Sequence, residues 1–156
     1  SNRQPMIWRD LMPYDDPAVK FDGELFGWYQ RLIAVRYGLP ALRRGFFRTL
    51  IADDDTGVLA YARDLDNDHA YIVLNRSAEA RNVLLPLAER DSNTTLVNWL
   101  DQSQAALRVD VSDTPDARPK LVLTPGAGSK ASPGATITLH LAPYGSAVLS
   151  DSEQMR

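Results

Sequence analysis

The sequence of 156 residues contains no cysteine and only two histidines, His69 and His140. Without cysteine, the chain has no disulfide framework, no thiolate nucleophile and no cysteine-based metal site. No apolar run approaches the roughly 18 residues that a membrane-spanning helix needs. The net charge is only −3 and the basic residues form no stripe, which argues against binding to nucleic-acid phosphates. We therefore expect no cofactor, no metal, no nucleic-acid partner and no membrane partner.

The composition, with 44% hydrophobic and 24% charged residues, is typical of a globular chain that can fill a core. The first residues lack the charged-then-apolar pattern of a secretory signal. A cytoplasmic location is therefore favoured, but the localisation stays open because a signal upstream of Ser1 would not be visible.

The most informative segment is residues 26–45, FGWYQRLIAVRYGLPALRRG, which predicts a long amphipathic helix. Asp22 is suited to be its N-cap, and Gly38 is expected to end it in a left-handed conformation, with Pro40 preventing continuation. Apolar residues follow the 3.6-residue period at Leu25, Trp28 or Tyr29, Leu32, Ile33 and Val35. One helix cannot bury this stripe alone, and no second helix is predicted downstream. The simplest interpretation is that the chain begins within a domain whose larger part lies upstream.

After residue 45 the hydrophobic period changes to two, which is typical of β-strands. Residues 53–57, DDDTG, predict a tight turn in which Gly57 takes a positive φ. Residues 125–134 contain three glycines and two prolines and are predicted to form a loop. About eight short strands are expected at the spacing of an antiparallel sandwich or barrel. The candidate segments are 46–52, 58–63, 70–75, 82–87, 95–100, 107–111, 121–124, 136–141 and 145–150.

Two patterns that suggest chemistry have simpler interpretations. Residues 64–68 carry carboxylates at alternate positions, but the later positions of a calcium loop are not matched, so we interpret the segment as a solvated hairpin turn. His140 falls on the polar face of its strand, and no nucleophile or orienting carboxylate is evident for a catalytic role of either histidine.

Four motifs occur in a characteristic order: NRQPMIW, GWYQRLIAVRYGLPALRRG, NRS at residues 75–77 and LAPYGSAVL at residues 141–149. In this order the chain resembles the C-terminal end of the α-amylase superfamily. It is similar to the neopullulanase, cyclomaltodextrinase and maltogenic amylase branch of glycoside hydrolase family thirteen. The resemblance implies a mainly β chain: an antiparallel Greek-key β-sandwich preceded by one amphipathic helix left over from a (β/α)8 barrel.

The resemblance also implies a division of the chain. Residues 1–44 would be the terminal segment and last helix of a truncated catalytic barrel, residues 45–150 the C-terminal sandwich, and residues 151–156 a tail. The family's retaining mechanism uses carboxylates at the C-terminal ends of central barrel strands. Those motifs have no match in this sequence, so no catalytic residue is expected here. The partner implied is an upstream barrel on the same polypeptide, which would act on α-glucosidic bonds in maltodextrins or cyclodextrins.

Three residues are candidates for contact with a sugar. Arg3, before the PMIW run, resembles a donor-side sugar-binding arginine of this branch. Trp99 and Tyr144 lie in the β part and have rings on which an α-glucan can stack, although tryptophan and tyrosine more often serve packing.

Two other functions remain open. The first is a carbohydrate-binding module that stacks an α-glucan on Trp99 or Tyr144. The second is a free-standing interaction protein. In either case the exposed helix face needs cover, either by folding back on the sandwich or through a homodimer.

Overall fold

The computed structural model describes residues 7–11, 16, 18–87, 94–101, 107–108, 110–111 and 135–151. The chain divides into two compact units, Ser1–Ala34 and Val35–Arg156. The sequence-based domain boundary between residues 44 and 45 stays a prediction.

The helical part of the chain consists of a short 3-10 helix, Arg9–Leu11, and two α-helices, α1 at Gly23–Gly38 and α2 at Pro40–Arg44. The N-terminus of α1 is capped as the sequence predicted, because the Asp22 carboxylate accepts a hydrogen bond from the Leu25 backbone at 2.9 Å. No described helix combines the length and the apolar character that crossing a lipid bilayer requires.

Helix α1 ends at Gly38 as the sequence predicted, but this glycine does not take the predicted left-handed conformation. Gly38 stays helical, and among the described glycines only Gly57 has a positive φ, at 72°. The break falls instead at Leu39, which is extended, and Pro40 then opens α2. A tertiary contact explains the glycine: a Cβ atom at Gly38 would lie 3.1 Å from the Trp99 ring. The helical segment predicted over residues 26–45 is therefore divided into two helices, and the short helix after Pro40 was not predicted separately.

Among the described residues, nine strands form two antiparallel sheets, which confirms the predicted fold class. The strands are β1 (Phe46–Asp53), β2 (Val58–Leu65), β3 (Asp68–Asn75), β4 (Arg81–Pro86), β5 (Thr95–Asn98), β6 (Leu107–Arg108), β7 (Asp110–Val111), β8 (Ala135–Leu141) and β9 (Ser146–Asp151). The six-stranded sheet has the order β1-β2-β3-β9-β5-β6, and the three-stranded sheet has the order β4-β8-β7. The chain therefore changes sheets between β3 and β4, between β4 and β5, between β6 and β7, and between β8 and β9. The predicted strand at residues 121–124 lies outside the described residues.

The main core lies between the two sheets. Strand β8 shows the predicted alternation, with Ile137, Leu139 and Leu141 buried and His140 exposed. These side chains join residues from the opposite sheet, among them Val58, Ala60, Tyr71, Val73 and Leu149, in one apolar cluster. Because both sheets contribute to it, the architecture is a β-sandwich.

A second apolar cluster covers the outer face of the six-stranded sheet. The helical segment contacts Ala70 and Ile72 of β3. It does so through Val35 near the end of α1, Leu39 between the two helices and Ala41 of α2. The Asp68 carboxylate also accepts a hydrogen bond from the Ala41 backbone at 2.8 Å. Residues 35–44 are thus packed within the same compact unit as the strands.

The approach of α2 to β2 generates a prediction about glycine. A Cβ atom at Gly45 would lie 2.5 Å from the Ala41 carbonyl oxygen and 3.0 Å from the Asp64 nitrogen, both backbone atoms. Gly45→Ala should therefore lower the free energy of unfolding by about 1–3 kcal/mol, the usual cost of overpacking. Gly27 in α1 is the matched control, because nothing lies within 4 Å of its added Cβ.

Gly27→Ala should raise helix stability by about 0.5–1 kcal/mol. Urea denaturation followed by far-ultraviolet circular dichroism measures both variants. A Gly45→Ala chain as stable as the unsubstituted chain would contradict the close contact between α2 and β2.

Candidate functional site

One end of the sandwich is organised around the buried side chain of Asn75, at the end of β3. Its amide nitrogen donates to the Glu79 carbonyl at 2.7 Å and to the Ala142 carbonyl at 2.9 Å. Its amide oxygen accepts from the Ser77 backbone at 3.0 Å, and its own backbone nitrogen donates to Gly145 at 2.9 Å. Asn75 thus satisfies backbone groups of two loops at once, and this accounts for the NRS motif structurally.

Backbone hydrogen bonds of neighbouring residues connect a third loop to the same end of the sandwich. The Arg76 nitrogen donates to the Gly57 carbonyl at 2.8 Å, in the β1–β2 turn. The Tyr144 nitrogen donates to the Ser77 carbonyl at 3.0 Å, in the β8–β9 turn. We call residues 53–57, 75–79 and 142–145 together the distal junction. It lies at the end of β2 and β3 opposite the Asp68 contact with α2.

The three sugar-contact candidates are not brought together. Arg3 lies outside the described residues. Trp99 follows β5, and its half-buried side chain packs on the outer-face cluster against Gly38. Its indole nitrogen is buried and has no hydrogen-bond partner among the described atoms. Tyr144 instead lies in the β8–β9 turn of the distal junction with 72% of its surface exposed.

The carboxylates of residues 64–68 are less solvated than the sequence suggested. The turn itself is made by Asp66 and Asn67, whereas Asp64 and Asp68 are half-buried strand residues. Asp64 pairs with Arg48 at 2.9 Å and lies 3.1 Å from Nδ1 of His69. The interpretation as a fully solvated turn was therefore wrong for Asp64 and Asp68, because both side chains connect strands or helices of the fold.

His69 has a carboxylate partner that the sequence analysis missed. The β2–β3 register places Asp64 directly opposite His69, and this pairing follows from a two-residue hairpin turn. Sequence reasoning treated the two as separate turn residues because the register was not assigned. The buried Ser150 hydroxyl donates to the His69 carbonyl at 2.7 Å rather than to the ring, so these residues do not form a nucleophile–base–acid triad.

The electrostatics of this cluster favour the charged form of Asp64. Burial by itself raises the pKa of the Asp64 carboxyl, but the hydrogen bond and charge of Arg48, followed by those of His69, outweigh it. The pKa of Asp64 therefore lies below its ordinary value of 3.8. Among the residues that the structure describes, no group of three histidine, aspartate or glutamate side chains is arranged to hold a metal ion.

The fold and these contacts can be compared with known proteins. Residues 47–107 match the family described as the C-terminal domain of maltogenic amylase. Through this segment, the chain belongs to the maltogenic amylase C-terminal domain family. The matched residues include the Arg48, Asp64 and His69 cluster and the Asn75 end of β3.

Two curated relatives agree with this assignment. The chain is 33% identical over 99 residues to neopullulanase 2 of Thermoactinomyces vulgaris, which covers 64% of this chain and 15% of that protein. It is 35% identical over 108 residues to a cyclomaltodextrinase of Geobacillus thermopakistaniensis, which covers 69% of this chain and 17% of that protein. The chain therefore spans only a small part of the length of these relatives.

Solved structures show the same fold. An α-amylase from Geobacillus thermoleovorans, complexed with acarbose, superposes with a TM-score of 0.60 at 20% identity, over 85% of this chain and 24% of that chain. An Anoxybacillus α-amylase gives a TM-score of 0.58 at 18% identity, over 85% of this chain and 23% of that one. In both cases the likeness extends to the fold only.

The lowered pKa of Asp64 predicts an acid-sensitive contribution to the domain's stability. The stabilising contribution is present above the ordinary pKa of 3.8 and is lost as the pH falls through the lower pKa of the folded chain. Asp64→Asn removes this titration, so its urea midpoint should fall less than that of the unsubstituted chain between about pH 5 and pH 2. Asp55→Asn, at an exposed position of the β1–β2 turn, is the control and should behave like the unsubstituted chain. Equal acid sensitivity of the Asp64→Asn variant would contradict this role.

Proposed function

We propose that this chain is the C-terminal part of an α-glucan-acting glycoside hydrolase, and that its β-sandwich is a non-catalytic domain that supports the catalytic barrel. The observation that carries the proposal is the family match over residues 47–107. The small share of each curated relative that the chain covers, 15% and 17%, supports an origin in a longer polypeptide. In this division residues 1–44 complete the barrel, residues 45–150 form the sandwich and residues 151–156 are a tail.

The exposed face of α1 supports a missing partner of this kind. Six large apolar residues of the helix are between 43% and 59% exposed: Leu25, Phe26, Trp28, Tyr29, Leu32 and Ile33. An apolar patch of this extent is characteristic of a surface that another protein segment covers. An upstream barrel on the same polypeptide is the occupant that the family assignment favours.

The proposed parent enzyme hydrolyses or transfers α-glucosidic bonds in maltodextrins or cyclodextrins by a retaining mechanism. Such a mechanism holds two carboxyl groups about 5–5.5 Å apart across the scissile bond. Among the described residues, two half-buried carboxylates are engaged in the fold, Asp64 with Arg48 and Asp68 with the Ala41 backbone. We propose that the catalytic pair lies in the barrel and that Arg3 is a donor-side sugar contact of the same barrel.

The direct test is the genomic sequence upstream of the codon for Asn2. An open reading frame of several hundred codons that carries three barrel carboxylates is the expected result. The purified 156-residue chain should release no reducing sugar from maltodextrin or cyclodextrin. A start codon immediately upstream, or hydrolysis by the purified chain, would contradict the proposal.

A homodimer is the alternative cover for α1 when the chain is free. Light scattering of the purified chain should then show a dimer, because the exposed apolar stripe is otherwise left in water. Replacement of Leu32 and Ile33 by glutamate should return the chain to a monomer. The control is the same double replacement at Asp54 and Asp55, exposed polar residues of the β1–β2 turn. A monomeric unsubstituted chain would contradict the dimer and leave the upstream barrel as the only proposed cover.

A second candidate function is binding of an α-glucan by the sandwich itself. The observation that favours it is the high exposure of Tyr144 in the distal junction, at 72%. The half-buried ring of Trp99, which packs against Gly38, offers less free surface for stacking.

A further inference from the structure

The backbone of Tyr144 has a conformation that does not suit its side chain. Its φ is +54°, in the left-handed region, and Asp66 is the other non-glycine residue described with a positive φ. Aspartate, asparagine and glycine enter this region readily, whereas a bulky aromatic residue there is an outlier with a conformational cost. The shape of the turn therefore does not account for a tyrosine at this position.

Hydrogen bonding of the turn does not account for the tyrosine either. The bonds that hold the β8–β9 turn join backbone atoms of Tyr144 and Gly145 to Ser77 and Ala142, together with the Asn75 side chain. Any residue other than proline at position 144 can donate the same backbone bond to Ser77. Burial is also excluded as the reason, because the Tyr144 side chain is among the most exposed large residues of the chain.

Hydrogen bonds hold the turn that carries the exposed ring of Tyr144. Asn75 bonds to both ends of the turn, Ala142 at 2.9 Å and Gly145 at 2.9 Å. A Cβ atom at Gly145 would lie 2.8 Å from the Ala142 carbonyl oxygen, so the residue after Tyr144 is also fixed in size. The outlier backbone is therefore maintained by the surrounding structure, as is typical of positions kept for function.

Charged side chains lie on the chain segment 76–81, to which the backbone of Tyr144 is hydrogen-bonded through Ser77. Ser77 accepts from the Tyr144 backbone through its carbonyl and from Arg81 Nε through its hydroxyl, at 3.3 Å. Arg81 pairs with Glu79 at 2.9 Å, and the adjacent Arg76 is 66% exposed. Guanidinium groups offer several directed donors, and carboxylates offer acceptors. An exposed aromatic ring and such groups on two hydrogen-bonded loops match the needs of a sugar ring, which has apolar C–H groups on its face and hydroxyls at its edge.

We propose that Tyr144, with Arg76 and Arg81, forms a secondary binding site for a linear α-glucan at the distal junction. The choice of an α-glucan rests on the proposed function, whereas the site rests on the geometry of the turn. The seven residue steps from Asp68 to Asn75 place it about 23 Å along the sheet from the contact with α2. A single stacking ring suits weak binding, which would hold a long substrate near the enzyme without competing with catalysis.

The test is a nuclear magnetic resonance titration of the complete 156-residue chain with maltoheptaose. Binding should shift the amide signals of Tyr144, Gly145 and Ser77. Tyr144→Asn should raise the dissociation constant about tenfold, which corresponds to about 1.4 kcal/mol of lost contact. The same variant should keep or raise the urea midpoint, because asparagine enters the left-handed region at lower cost.

Two further variants separate the ring from general effects. Tyr144→Phe keeps the stacking surface and should bind within about threefold of the unsubstituted chain. Tyr37→Asn removes a similarly exposed tyrosine, at 69%, from the end of α1 and should leave the dissociation constant unchanged.

Several outcomes would overturn the site. These are unchanged binding by Tyr144→Asn, amide shifts centred on Trp99, or the absence of any shift. Loss of binding together with a lowered urea midpoint would indicate a structural role for Tyr144 instead. Equal shifts with cellohexaose would overturn the choice of an α-glucan. None of these results depends on the upstream reading frame, so the site and the proposed function can fail separately.

Discussion

Strand β3 is buried on both of its faces, and the rest of the structure is arranged around this constraint. Tyr71 and Val73 point into the core between the sheets, whereas Ala70 and Ile72 point to the outer face. A strand covered on both sides reads as a continuous apolar run, here AYIVL at residues 70–74. The three-stranded sheet covers the inner side. Among the described residues, the end of α1 and α2, together with Trp99 and Leu100 after β5, cover the outer side. The helical segment therefore helps to keep the outer face of β3 out of water.

This constraint explains which features the sequence could predict. Asp22 as an N-cap and the alternation of β8 depend on neighbouring residues alone, and both were predicted correctly. The glycine at the end of α1 lies against the Trp99 ring, a contact over 61 positions of sequence that no local pattern encodes. Gly38, two residues before Pro40, therefore indicated a left-handed cap. The structure gives a different reason for the glycine, because the Trp99 ring occupies the space of a side chain at position 38. The His69–Asp64 contact was missed because the exact register of β2 and β3 was not assigned.

The distal junction shows why separated motifs belong together. The NRS motif and the LAPYGSAVL motif lie 67 positions apart between Asn75 and Ala142, and yet they share a hydrogen bond of 2.9 Å. Where the chain leaves β3 and β8, backbone carbonyl groups lose their strand partners. The buried amide of Asn75 donates hydrogen bonds to these carbonyl groups instead. Each motif is needed because the other supplies its partner. The sequence revealed the motifs themselves, whereas the structure supplies the physical reason for their common occurrence.

The exposed aromatic residues that the structure describes in the strands and turns of the sandwich fall into two groups with different explanations. Phe46 and Phe47, which are 84% and 55% exposed, begin β1 directly after α2. A protein partner at that end of the sheet would cover them, and their extended backbone carries no positive φ. Tyr144 lies at the opposite end, where the same partner surface would have to reach along the whole length of β2 and β3. Its backbone also carries a conformational cost that Phe46 and Phe47 do not. A single protein interface therefore accounts for the first group but leaves Tyr144 to be explained by a different, smaller ligand.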